Sequence, residues 1–169
     1  MLPRKVVLAV LPLLLLTLLP LSGCNALADA QKADNVIAAV VAIAKAEESV
    51  IPVADQTAYT NFVNLASTLQ SQLSSCITGV TGTVGTSSKF MACFDTFATG
   101  LTNSTELTQL RLTNSTTQSK AQLYITGIII GVNLAAGFFG GSTVATPVVG
   151  APPTTAQLYQ LRTQVLAGM

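Results

Sequence analysis

Residues 123–139 run for seventeen positions without a charge: Leu-Tyr-Ile-Thr-Gly-Ile-Ile-Ile-Gly-Val-Asn-Leu-Ala-Ala-Gly-Phe-Phe. A helix that is apolar on every side belongs either in lipid or at the centre of a folded protein. A membrane span needs about 20 predominantly apolar residues. This run is shorter, contains Thr126 and Asn133, and has no basic residue directly beyond it. Gly127, Gly131 and Ala135 recur four apart, forming a small-residue ridge along which another backbone can approach closely. The run therefore predicts the buried central helix of a bundle, with insertion of 123–139 into a membrane as the alternative.

The flanking sequence supplies helices to wrap around it. Residues 27 to about 49 are apolar around most of the circumference through Val36, Ile37, Val40, Val41, Ile43 and Ala44, and Ser49 to Pro52 ends them. Asp55 is placed to cap a second helix, about 55–77, whose stripe is Tyr59, Phe62, Ala66, Leu69, Leu73 and Cys76. Gly79, Gly82 and Gly85 open a loop. Ser87 or Ser88 then caps a third helix with Phe90, Cys93, Phe94, Phe97 and Leu101 on one face.

A short repeat follows, Leu101-Thr102-Asn103-Ser104-Thr105 and Leu112-Thr113-Asn114-Ser115-Thr116. Each copy carries a capping-box spacing, Asn103 to Glu106 and Ser115 to Gln118, so the copies read as starts of helices over about 104–112 and 116–139. Both are Asn-x-Ser/Thr sequons as well, which cap composition explains without glycosylation. Residues 140–153 form a Gly/Pro/Val/Thr linker with an exposed apolar strip at Val144, Val148 and Val149. Thr154 and Gln157 begin a last helix that buries Leu158, Leu161 and Val165. No alternating run is long enough to argue for a sheet. The expected class is all-α, a compact bundle of four to six helices.

The N-terminus is organised differently. Arg4 and Lys5 precede an apolar run over 6–19, broken only by Pro12 and Thr17, too short for a span and shaped like a signal-peptide core. After Pro20 the chain reads Leu21-Ser22-Gly23-Cys24. This arrangement resembles the lipobox of bacterial lipoproteins. The resemblance covers about the first 24 residues and implies that the Cys24 thiol is diacylglycerated and the leader 1–23 removed. Cys24 would then be residue one of a single helical domain, 24–169, held by palmitate-type acyl chains. The alternative is an ordinary secretory leader cut at Ala28 or Ala30. Lipoproteins of this kind carry two or three acyl chains, and more than one chain is needed for lasting attachment. In Gram-negative members of that family an Asp after the cysteine favours inner-membrane retention. Asn25 therefore points to the outer membrane of the cell envelope.

With Cys24 lipidated, Cys76 and Cys93 remain as an even pair in an oxidising compartment. Both stand on apolar faces of adjacent helices, so they are expected to form a disulfide rather than remain two buried thiols. Loss of Arg4 and Lys5 leaves six Lys/Arg against seven Asp/Glu, a formal charge of −1. No basic patch suggests nucleic acid.

Candidate chemistry is thin. The chain has no histidine, which removes the usual general base, zinc ligand and serine-hydrolase triad. A bridged Cys76–Cys93 pair offers no nucleophile. Glu47 and Glu48 are neighbours that diverge on a helix, read as a solvated helix end, and Asp29, Lys32 and Asp34 are read as ordinary surface. A glycosidase-type carboxylate pair would need a distant combination such as Asp55 with Asp95. The glycines of 79–85, with Lys89 downstream, lack phosphate-loop spacing. Ser88-Lys89 and Ser119-Lys120 are neighbours that diverge on a helix.

No catalytic residue, metal site or cofactor is expected, and Cys24, Cys76 and Cys93 are the residues given roles. The expected protein is a non-enzymatic envelope lipoprotein serving as a structural or protein-interaction module. An envelope partner would meet segment 143–153 or a bundle groove, and the oligomeric state stays open. The alternative is a binder of a small apolar, lipid-like molecule enclosed around 125–139. An enzyme with a non-histidine site is the weaker third reading.

Overall fold

The computed structural model describes residues 25–81 and 86–169. Six α-helices and no strand occur among the described residues. They are α1 (Ala26–Ala46), α2 (Val53–Gly79), α3 (Thr86–Thr102), α4 (Thr105–Thr108), α5 (Ser115–Phe139) and α6 (Thr155–Gly168), with a 3-10 turn at Glu48–Val50. This is the all-α bundle expected from the helical spacing. The leader 1–23 and the expected lipid site Cys24 lie outside the described residues, as do Gly82 and Gly85 of the expected loop.

α5 is the axis of the bundle, and its largest interface is with α1. Ile125, Ile128, Ile129 and Val132 are almost fully buried, each contributing roughly 1.5–3 kcal/mol relative to exposure. The Gly127–Gly131 ridge faces α1. A Cβ on Gly131 would lie 2.6 Å from Ile37 Cγ1 and 3.5 Å from the Ala33 carbonyl oxygen. One on Gly127 would lie 3.2 Å from Val40 and 2.8 Å from Leu161 of α6. The small-residue ridge thus serves helix packing inside the molecule. α5 ends at Gly140, whose left-handed φ of 75° lets the N–H groups of Gly140 and Gly141 both reach the Ala136 carbonyl at 2.9 and 3.0 Å.

α2 and α3 form a helical hairpin stapled by Cys76–Cys93, with Cα atoms 5.8 Å apart and 17 positions separating them in sequence. Cys93 is buried, whereas Cys76 is exposed at the hairpin edge. The expected α2 stripe holds at Tyr59, Phe62, Ala66 and Leu73, with Val63 and Ile77 also buried. Gly100 of α3 receives Leu69, whose Cδ2 would lie 2.9 Å from a Cβ there.

Helix boundaries depart from the sequence reading in five places. α1 stops at Ala46, and a 3-10 turn carries the chain to Pro52. α3 begins at Thr86, ahead of both expected serine caps. The cap between Asn103 and Glu106 is made by Ser104 instead, whose Oγ accepts the Leu107 N–H at 3.1 Å. The expected helix over 104–112 is the single turn α4. Beyond it, Leu112 turns into the core while the N–H groups of Thr113 and Asn114 bond to Asp55 on α2. The next cap is Asn114, not Ser115; its Oδ1 accepts from Thr116 and Thr117, and Gln118 reaches the Leu112 carbonyl at 2.6 Å.

The staple yields a stability prediction. Replacing Cys76 and Cys93 by Ser removes a loop constraint worth about 3 kcal/mol. The melting temperature should fall by roughly 6–12 °C for a domain of this size. Wild-type protein melted in reductant should match the double variant; a reductant-insensitive melting temperature would contradict the staple.

Candidate functional site

The described chain starts one residue after the expected lipid site. Asn25 is the N-cap of α1, its side chain accepting the Ala28 N–H at 3.3 Å. Asp29 in the first turn is paired with Lys32 at 3.1 Å. The helix begins two residues after the expected lipid site, with Leu27 substantially exposed.

The carboxylates follow packing rather than a cleft. Asp55, expected to cap α2, is instead fully buried. Pro52 precedes the helix without a side-chain cap. Asp55 Oδ1 accepts the Thr113 N–H at 2.6 Å and the Thr113 hydroxyl at 2.8 Å, and Oδ2 accepts the Asn114 N–H at 2.9 Å. The Thr113 backbone bond, joined by those from Asn114, the Thr113 hydroxyl and Thr117, holds its pKa below the usual carboxylate range against the opposing effect of burial. Asp95 is exposed on α3. The suggested pair thus divides between core and surface.

Asp34 was expected on the surface and is buried between α1 and α2, accepting from Gln70 Nε2 at 3.2 Å. Burial raises its pKa, opposed by hydrogen bonds from Gln70 and Ser74. Glu47 and Glu48 are half-buried rather than solvated. Glu47 Oε2 meets Lys120 Nζ at 2.6 Å, and the same carboxylate lies close enough to the buried Tyr124 phenol to help hold its proton on. Tyr59 donates to the Ala44 carbonyl at 3.1 Å. Both phenols are shifted upward, chiefly by burial, which makes them poor acids. Lys120 is thus held by Glu47 while Ser119 bonds the Ser115 carbonyl. Lys89 donates to the Thr81 carbonyl at 3.2 Å.

Two amides on α5 hold the 140–153 segment as an extended strap. Asn133 Oδ1 accepts the Val144 N–H at 2.7 Å and its Nδ2 donates to the Val144 carbonyl at 3.1 Å. Three helical turns earlier, on the same face, Gln122 Oε1 accepts the N–H groups of Val149 and Gly150 at 2.7 and 3.1 Å. Its Nε2 donates to the Pro147 carbonyl at 3.0 Å. Gly150 is required by the closeness of the crossing: a Cβ there would lie 2.6 Å from the Gln118 carbonyl oxygen. The strap turns Val144 and Val149 toward the core and leaves only Val148 strongly exposed among the three valines of the expected strip. Asn133 was visible as a polar interruption of the apolar run, but its role needed the strap.

An apolar groove lies between α1, α5 and α6, lined by Val36, Val40, Ile130, Leu134, Val165 and Leu166, with Arg162 beside it. Its volume is about 60 Å³. Among the described residues no group of three or more His, Cys, Asp or Glu is positioned to hold a metal ion. The chain matches no family model, and neither a curated protein nor a solved structure is detectably similar to it.

The two buried aspartates should respond oppositely to pH. Asp55 binds its proton less readily when folded, so its ionised form stabilises the fold above the ordinary carboxylate range, and that contribution is lost as pH falls through its lowered pKa. Asp34 binds its proton more readily when folded, so its charge opposes folding at neutral pH. Urea unfolding should show Asp55→Asn destabilised at pH 7, with the deficit closing in acid. Asp34→Asn should be stabilised at pH 7, with the gain vanishing below about pH 4. Effects of the same sign would refute this assignment.

The strap gives a local test. Gln122→Leu deprives three backbone groups of partners, a cost of about 1–3 kcal/mol for each group that stays buried, so the strap should lift there. Hydrogen exchange at Val149 and Gly150 should accelerate while Val144, held by Asn133, remains protected. Unchanged exchange at all three would show that Gln122 is dispensable.

Proposed function

We propose that the mature protein is an envelope lipoprotein, anchored through Cys24 and serving as a non-enzymatic structural or protein-interaction module. The observation that carries this reading is the sequence of basic residues, apolar run and Leu21-Ser22-Gly23-Cys24, set one residue ahead of a capped helix. The Cys76–Cys93 bridge accords with an exported chain. The non-enzymatic half of the reading is supported by the occupations of its reactive side chains. Asp55 holds a loop, Glu47 and Lys120 hold each other, and Lys89 binds a carbonyl.

The groove beside Arg162 bears on the second reading, a binder of small apolar molecules. Its lining suits an alkyl chain, but about 60 Å³ is far below the roughly 300–1,000 Å³ of ligand pockets. A lipid-sized ligand would have to part α6 from α1 and α5. The compact-module reading is therefore preferred.

The anchor is tested by expressing the full chain and its Cys24→Ser variant in a bacterium with lipoprotein-processing enzymes. The wild type should partition into detergent and give an intact mass for residues 24–169 plus acyl groups, whereas the variant should remain unacylated. A wild-type chain that begins after Ala28 or Ala30 without lipid would overturn the assignment.

A further inference from the structure

We infer that the end of the bundle carrying Asn25, Lys89 and Gly140 rests on the lipid bilayer, an inference that depends on the acylation of Cys24 proposed above. The argument begins with reach. Asn25 is the single residue between Cys24 and α1, and an extended chain spans at most about 3.6 Å per residue. The Cα of Ala26 therefore lies within about 7 Å of that of Cys24. The polar layer of each leaflet is of similar depth, about 5–8 Å. A glyceryl-linked Cys24 leaves the first turn of α1 no room to stand clear of the headgroups, whatever the tilt of the helix.

The fold determines what accompanies that turn. α1 and α5 are antiparallel, since Gly127 meets Val40 and Gly131 meets Ile37 and Ala33, so the C-terminal end of α5 lies beside the start of α1. Phe139 carries the start of α3 to the same end, its ring 5.7 Å from Phe90. Lys89 and Thr81 join there through their hydrogen bond. The opposite end carries the Glu48–Val50 turn, the α2 start, α4 and Arg111. Antiparallel α1–α2 packing, from Gln70 on Asp34 to Tyr59 on Ala44, separates the two ends.

The near end has the chemistry of a headgroup contact. Leu27 is 41% exposed at the anchor itself, and Gly140, Ser142 and Thr143 are neutral and exposed. The charged side chains nearest the anchor are Lys89 and the Asp29–Lys32 pair, while the exposed carboxylate of Asp95 stands nearly two turns further along α3. A lysine in this position is attracted by an anionic leaflet.

The chain contains no tryptophan, so single substitutions give clean reporters. Leu27→Trp and Ser88→Trp probe the near end, and Val53→Trp and Glu106→Trp the far end. All four native residues are exposed. Each acylated protein is reconstituted in phosphatidylcholine–phosphatidylglycerol vesicles containing brominated acyl chains, with acylation checked by intact mass. The near-end reporters should be quenched several-fold more than the far-end reporters and shielded from aqueous iodide. Acylated protein with equal quenching at both ends, or stronger quenching at Val53→Trp, overturns the orientation alone. Absence of the acyl mass overturns the anchor and the orientation together.

Discussion

The contact on which the rest of the fold depends is the close approach of α1 to α5. At Gly131 a side chain would place its first carbon 2.6 Å from Ile37, inside any tolerable contact distance. Two helices meeting this tightly gain dispersion contacts along their backbones. They also hide one face of a helix that is too apolar for water on any face. α3, α6 and the strap then each have a defined task, to cover what α1 leaves open. Phe90 and Phe94 close the C-terminal part of α5 against Phe139, while Leu161 reaches Gly127 from the other side.

The strap shows how a chain with few charges completes this enclosure. An extended backbone laid on an apolar helix would ordinarily leave N–H and C=O groups without partners, at substantial cost. Gln122 and Asn133 answer this with amides, which both donate and accept, so one side chain satisfies several backbone groups. The surface hydroxyls behave similarly. Ser71, Ser75, Thr78, Thr96, Thr102, Thr108, Ser119 and Thr163 each donate to a carbonyl one helical turn back. Much of the polarity is therefore turned inward on the protein's own backbone.

The bundle was legible in the sequence because its core positions repeat at helical spacing, and Cys76 and Cys93 fell on facing helices through the same periodicity. The misread aspartates were those whose carboxylates bond to something distant in sequence. Asp55 looks like a cap because carboxylates commonly stand at helix starts, yet its partners lie 58 and 59 residues away. The helix expected over 104–112 shrank to one turn for the same reason, its tail being drawn across to Asp55. Asp34 resembles a surface residue until Gln70, 36 positions on, is brought beside it. Local pattern carries no information about such partners. The reading of Cys24 has the opposite character, since it depends on a contiguous motif and owes nothing to the fold.

If Cys24 is acylated as proposed, anchor and fold meet in α1. In the acylated protein proposed here, no flexible linker separates the lipid from the domain, and the helix that begins at Ala26 is also the main partner of α5. A long tether would let a domain move away from its membrane and leave its fold indifferent to the attachment. A one-residue tether instead delivers any force between membrane and domain directly into α1, where the Gly127–Gly131 contact passes it to the centre of the bundle. The Cys76–Cys93 bridge then ties α2 to α3 near the same end, so neither helix of the hairpin can separate there without breaking a covalent bond. Such an arrangement would suit the structural or protein-interaction role proposed above, because the covalent staple and the α1–α5 contact would hold the domain rigid relative to its anchor.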